Sequence, residues 1–137
     1  IQTFSNRISE VIGDDDQTVF IENTGIGNIQ YIRKAISQLL LNSNFKLTWD
    51  IGHDHASGLK DREFWEEHKT HIQHFHIHDA IKESNHLTLY DGEIDIDEYL
   101  KMAEQSNATV VLETKTIEAL RESVKRLNQR THYMDKH

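Results

Sequence analysis

Four short β-branched or apolar segments recur along this 137-residue chain, and stretches with helical spacing of apolar residues separate them. Residues 18–22, 46–50, 73–78 and 109–113 read as strands. Ile29, Ile32, Ile36, Leu39 and Leu40 form a helical stripe ending near residues 42–44. A polar loop is expected from the second strand to Gly58, then a helix over 61–71 bearing Phe64 and Trp65. After the third strand comes a long loop containing Asp91-Gly92. Asp97 is expected to cap a helix carrying Tyr99, Leu100 and Ala103. Ile117, Leu120, Val124 and Leu127 mark a last helix, with a frayed tail after Arg130. Such alternation predicts an α/β fold, a parallel sheet with helices outside it. No linker-like stretch divides the chain, so residues 1–137 read as one unit.

Strand side chains alternate between faces. Val19 and Ile21, Leu47 and Trp49, Phe75 and Ile77, and Val110 and Leu112 give each strand an apolar face for the helices. On the opposite face, at or near each strand end, stands a residue able to bind metal: Glu22, Asp50, His76 and Glu113. They are 28, 26 and 37 residues apart, each about one strand-helix-strand step. In a sheet curved like a barrel, the four would converge at the C-terminal rim. Three carboxylates gathered there repel unless a cation holds them, and oxygen-rich ligation with one imidazole suits Mn²⁺, Mg²⁺, Co²⁺ or Zn²⁺.

Composition narrows the function classes. Acidic residues outnumber basic ones 23 to 15, for a net charge of -8, which opposes a broad nucleic-acid surface. Apolar runs fall far short of the roughly 20 residues of a membrane helix. With no cysteine there is no disulfide or thiolate site, and a cytoplasmic location fits. The ten histidines are unusual for such a chain; His55, His74 and His78 qualify as ligands by residue type alone. Ile1, Phe4, Ile8, Val11 and Ile12 have helical spacing with no capping residue ahead, which predicts a segment upstream of Ile1. The acidic residues 14–16 read as a solvated turn. Gly25-Ile-Gly27 lacks the full phosphate-binding glycine pattern, and Lys82 is a candidate to meet an anionic substrate group.

Five motifs together resemble the C-terminal half of the xylose isomerase-like TIM-barrel superfamily. They are Val19-Phe-Ile-Glu-Asn-Thr-Gly25, Trp49-Asp-Ile-Gly-His-Asp-His-Ala-Ser-Gly58, His76-Ile-His-Asp79, His86 through Asp91-Gly-Glu-Ile-Asp95, and Val110-Val-Leu-Glu-Thr114. The resemblance spans residues 17 to 127 and implies about four of the eight units of such a barrel, with the N-terminal half absent. It implies one divalent ion on Glu22, Asp50, His76 and Glu113. His53 then matches a histidine that contacts substrate or, in the nuclease branch, a further metal. His86 matches a histidine of multinuclear members, and Asp79 an acidic residue beside the metal histidine.

Sugar isomerases, epimerases and abasic-site nucleases populate that superfamily. The leading expectation is isomerisation or epimerisation of a sugar or sugar phosphate through a metal-stabilised enediolate, with Glu22 and Glu113 as base and acid. The alternatives are an abasic-site phosphodiesterase and a non-catalytic metal-binding remnant. A half barrel also leaves two sheet edges free to recruit a second copy.

Overall fold

A computed structural model describes residues 1–12 and 17–134. Its elements in chain order are α1 (Gln2–Ile12), β1 (Val19–Glu22), α2 (Gln30–Leu39), β2 (Phe45–Asp50), α3 (Ile51–Ala56), α4 (Arg62–Glu67), β3 (Ile72–Ile77), β4 (Asp79–Ile81), β5 (Ser84–Leu87), α5 (Ile96–Gln105), β6 (Thr109–Leu112) and α6 (Ile117–Met134). A 3-10 turn, Lys69–His71, precedes β3.

The main sheet has the order β1-β2-β3-β6, and every pairing is parallel. This is the four-stranded, helix-alternating arrangement of a partial α/β TIM barrel. Register is staggered: Glu22 lies beside Thr48, Asp50 beside His76, and His76 beside Val111. Tilted barrel strands have this kind of stagger, which brings successive C-terminal ends to a common rim.

The core sits between the sheet's outer face and the helices. Leu47, Trp49, Phe75 and Ile77 are fully buried, as their parity predicts. Trp49 meets Tyr99 of α5 edge to face at 5.2 Å, and α4 covers the sheet with Phe64 and Trp65. Both buried indoles are satisfied: Trp65 Nε1 donates to the Thr48 carbonyl at 2.9 Å and Trp49 Nε1 to Asp54 at 3.3 Å. A buried indole of this size contributes about 4–6 kcal/mol of apolar stabilisation as an upper estimate. The edge strand β6 is less covered than its parity predicts, with Val110 37% exposed.

Several expectations need correction. The stretch after β2 is not a polar loop: residues 51–56 form α3, capped by Asp50, whose carboxylate accepts from the His53 N–H at 2.7 Å. The long loop after β3 contains an antiparallel hairpin, β4–β5. Asp95, not Asp97, caps α5, accepting from the Glu98 N–H at 3.1 Å. Asp97 instead accepts from the Tyr90 hydroxyl and the Arg130 guanidinium. That ion pair helps hold α6, which continues past Arg130 to Met134; the rest of the tail expected to fray lies outside the described residues. The acidic turn expected at residues 14–16 lies outside the described residues.

Candidate metal centre

Each of the four main strands delivers one side chain to the same place. His76 Nδ1 lies 3.4 Å from Glu22 Oε1, 3.7 Å from Asp50 Oδ2 and 3.4 Å from Glu113 Oε1. These separations exceed ordinary hydrogen bonds of about 2.7–3.2 Å. The two glutamate separations match the spacing of neighbouring ligands on one ion, about 3.0–3.5 Å for bonds near 2.1 Å, and the Asp50 separation is slightly longer. Glu22 comes from an edge strand two places away from β3, so its carboxylate must lean inward to arrive.

Burial grades across the cluster. The Asp50 side chain is inaccessible, that of His76 is 19% exposed, and those of Glu113 and Glu22 are 34% and 41% exposed. Asp50 anchors it. Burial alone would push its carboxyl up, but His78 and His53 outweigh that and hold it below the usual carboxylate range. Asn23, just after β1, locks Asp50 in place: its amide oxygen accepts from the Asp50 N–H at 2.6 Å and its amide N–H donates to the Asp50 carbonyl at 3.0 Å.

Three buried polar atoms here have no hydrogen-bond partner: Asp50 Oδ2, His76 Nδ1 and His78 Nε2. His53 Nδ1 approaches Asp50 Oδ2 at 2.8 Å and His78 Nε2 approaches Asp50 Oδ1 at 3.0 Å. Both approaches are short, but neither has the direction of a hydrogen bond. Orphaned buried groups cost about 1–3 kcal/mol each. His76 Nδ1 and Asp50 Oδ2, each without a hydrogen bond and 3.7 Å apart, fit ligation of a cation.

A second group sits against the first. His53 Nε2 is 3.1 Å from His86 Nε2, and the His78 ring stacks on that of His86 at 4.0 Å and meets His53 edge-on at 5.1 Å. The backbone N–H of His86 donates to His78 Nδ1 at 2.8 Å, which leaves Nε2 of His78 directed at Asp50. Gly52 makes room for this ring, since a Cβ there would lie 2.0 Å from it. The ligand atoms of His53, His78 and His86 lie within 4.8 Å of one another.

The family model described as a xylose isomerase-like TIM barrel matches residues 1–130. The chain belongs to this family. No curated protein and no solved structure gives a match.

For a xylose isomerase-like chain, the remaining expected residues are placed as follows. His53 lines a cleft of about 510 Å³ with Glu22, Asn23, Ser57, Glu83 and Asn85. Lys82 is not among the residues lining it; it is exposed at the hairpin turn, where its backbone N–H donates to Glu93. Asp79 is buried and its carboxylate is spent on backbone: it accepts from the N–H groups of Ala80 at 2.8 Å, Gly92 at 2.8 Å and Ile94 at 3.2 Å. It organises the loop after the hairpin and, among the described residues, joins none of the groups that could hold a metal ion. His74 shares the His76 face but bonds Thr109 Oγ1 at 2.6 Å; burial and nearby His76 hold its pKa down.

Sequence reasoning offers His78 as a ligand by residue type alone and assigns nothing to Asn23 or Asp61. His78 continues the His74, His76 parity one step past the strand. Asn23 and Asp61 act through backbone contacts that no residue pattern announces.

Proposed function

We propose that Glu22, Asp50, His76 and Glu113 hold one divalent cation, of the Mn²⁺, Mg²⁺, Co²⁺ or Zn²⁺ type, for isomerisation or epimerisation of a sugar. The observation that supports it is the placement of His76 Nδ1 among three carboxylate oxygens without a hydrogen bond. A bound cation would polarise the substrate carbonyl. Glu22 and Glu113 approach His76 from the two edge strands. One removes a proton from the carbon beside the carbonyl; the other delivers a proton on the opposite side. His53 orients substrate from the 510 Å³ cleft. Asp50 is the ligand with no room to exchange protons with solvent.

The test is Glu113→Gln in a Mn²⁺-supplemented ketose interconversion assay of the full chain. Loss of one acid-base group predicts a fall of about 10²–10⁴-fold. An unchanged rate removes the acid-base role, and a wild type that binds no divalent ion in calorimetry removes the centre.

The close His53–His86 pair favours a second reading, a multinuclear phosphodiesterase with a further ion on His53, His78 and His86. Cleavage of abasic duplex DNA would establish it, against the opposing charge of -8. Among the described residues no helix is long and apolar enough to cross a membrane, and a cytoplasmic site of action is part of the proposal. So is a larger barrel of which this sheet is one part. Among the described residues the outer sides of β1 and β6 carry no main-sheet partner, so pairing with a second copy is expected to make sedimentation concentration-dependent.

A further inference from the structure

Asp61 occupies the N-cap position of α4, yet its side chain makes no capping bond to that helix. An aspartate there ordinarily stabilises its helix by about 1 kcal/mol. Here both oxygens cross to another loop. Oδ2 accepts from the Gly25 N–H at 2.6 Å and Oδ1 from the Gly27 N–H at 2.5 Å. Asp61 is wholly buried, and its own N–H is held by Asp54 Oδ1 at 3.1 Å. The approach is so close that a Cβ on Gly27 would lie 2.6 Å from Asp61 Oδ1.

The clamped loop is the one that leaves β1 at Glu22. That ligand has the weakest support of the four. Its strand has four residues and lies at the sheet edge, and its side chain is 41% exposed. Asn23 ties the start of the loop to Asp50, and Asp61 ties the loop from Gly25 to Gly27. Between them they fix the backbone exit from Glu22.

We propose that Asp61 is a positioning residue, which sets Glu22 against the other three ligands by gripping residues 25–27. The proposal rests on the cation reading of the centre. A double-mutant cycle on Mn²⁺ affinity, read by calorimetry, tests it with wild type, Asp61→Asn, Glu22→Gln and the double variant. Asparagine keeps one acceptor and turns an N–H against the other glycine N–H. Asp61→Asn is expected to weaken Mn²⁺ binding at least tenfold in the wild-type background and less than twofold in the Glu22→Gln background.

A role confined to folding gives a different result: a lowered melting temperature with unchanged affinity, or the same loss in both backgrounds. Either overturns the proposal. Gly27→Ala pushes on the same carboxylate without removing it, and must show the same dependence on Glu22; it replaces Asp61→Asn if that variant does not fold. A wild type that binds no Mn²⁺ overturns both the cation reading and this one. Binding without coupling removes Asp61 alone.

Discussion

Gly52→Ala should be among the most damaging single-methyl additions in this chain. The new Cβ would lie 2.0 Å from both Cε1 and Nδ1 of His78 and 2.6 Å from Nε2. Ordinary contact requires about 3.5 Å, so ring and helix must separate by about 1.5 Å. The ring has no room to retreat. It is fully buried, stacks on His86 at 4.0 Å, and abuts Asp50 at 3.0 Å. Overpacking of this kind costs about 1–3 kcal/mol or more, and the upper end applies because ring, helix and hairpin move together. For a domain of this size about 3 kcal/mol lowers the melting temperature by roughly 10 °C. The assay is thermal unfolding by circular dichroism, in wild-type and His78→Ala backgrounds. With the ring removed, the added methyl should cost under about 1 kcal/mol, a large coupling for one contact. A melting point within 2 °C of wild type for Gly52→Ala alone, or an equal loss in both backgrounds, would refute the packing argument.

Two further outcomes can be checked independently. Asp79→Ala orphans three buried or half-buried N–H groups and should lose about 3 kcal/mol; hydrogen exchange should accelerate at Gly92 and Ile94, and unaltered exchange there would contradict the assigned role. Burial pushes the Tyr99 phenol up to about 12, only partly opposed by Arg62. The neutral form is therefore the one the fold favours. Its stabilising contribution is complete below pH 10 and is lost as pH rises towards 12. Phenolate absorbance should show a step near pH 12 that a Tyr99→Phe variant lacks, separate from the still later ionisation of Tyr90, which burial and Asp97 push up further; an unchanged profile in the variant would contradict the assignment.

Period-2 and helical spacing make the parallel sheet legible in the sequence. Parity places Glu22, Asp50, His76 and Glu113 on one face and survives errors of a residue or two in strand ends: Glu113 lies one position beyond β6, yet its Oε1 is 3.4 Å from His76 Nδ1. Their role as ligands belongs to the proposal. Helix α3 was missed because Ile51-Gly52-His53-Asp54-His55-Ala56 carries too few apolar residues to display a period. Contacts stabilise it instead, through the Asp50 cap and the buried Asp54. The hairpin was missed for a related reason. Its strands are short, and Lys82 and His86 both take positive φ, at 50° and 56°, where side-chain type gives little warning. Asp97 and Asp95 are equivalent caps by composition, and the pull of Tyr90 and Arg130 on Asp97 depends on distant α6.

One cation at His76 Nδ1 would touch all four strands at once, including both unpaired margins. It would then act as a drawstring: with the charge in place, outer ribbons that each have a single neighbour are cinched towards the middle. Without it, the three carboxylates push them apart, and loosening should begin at the rims, long before the tryptophan-filled centre responds.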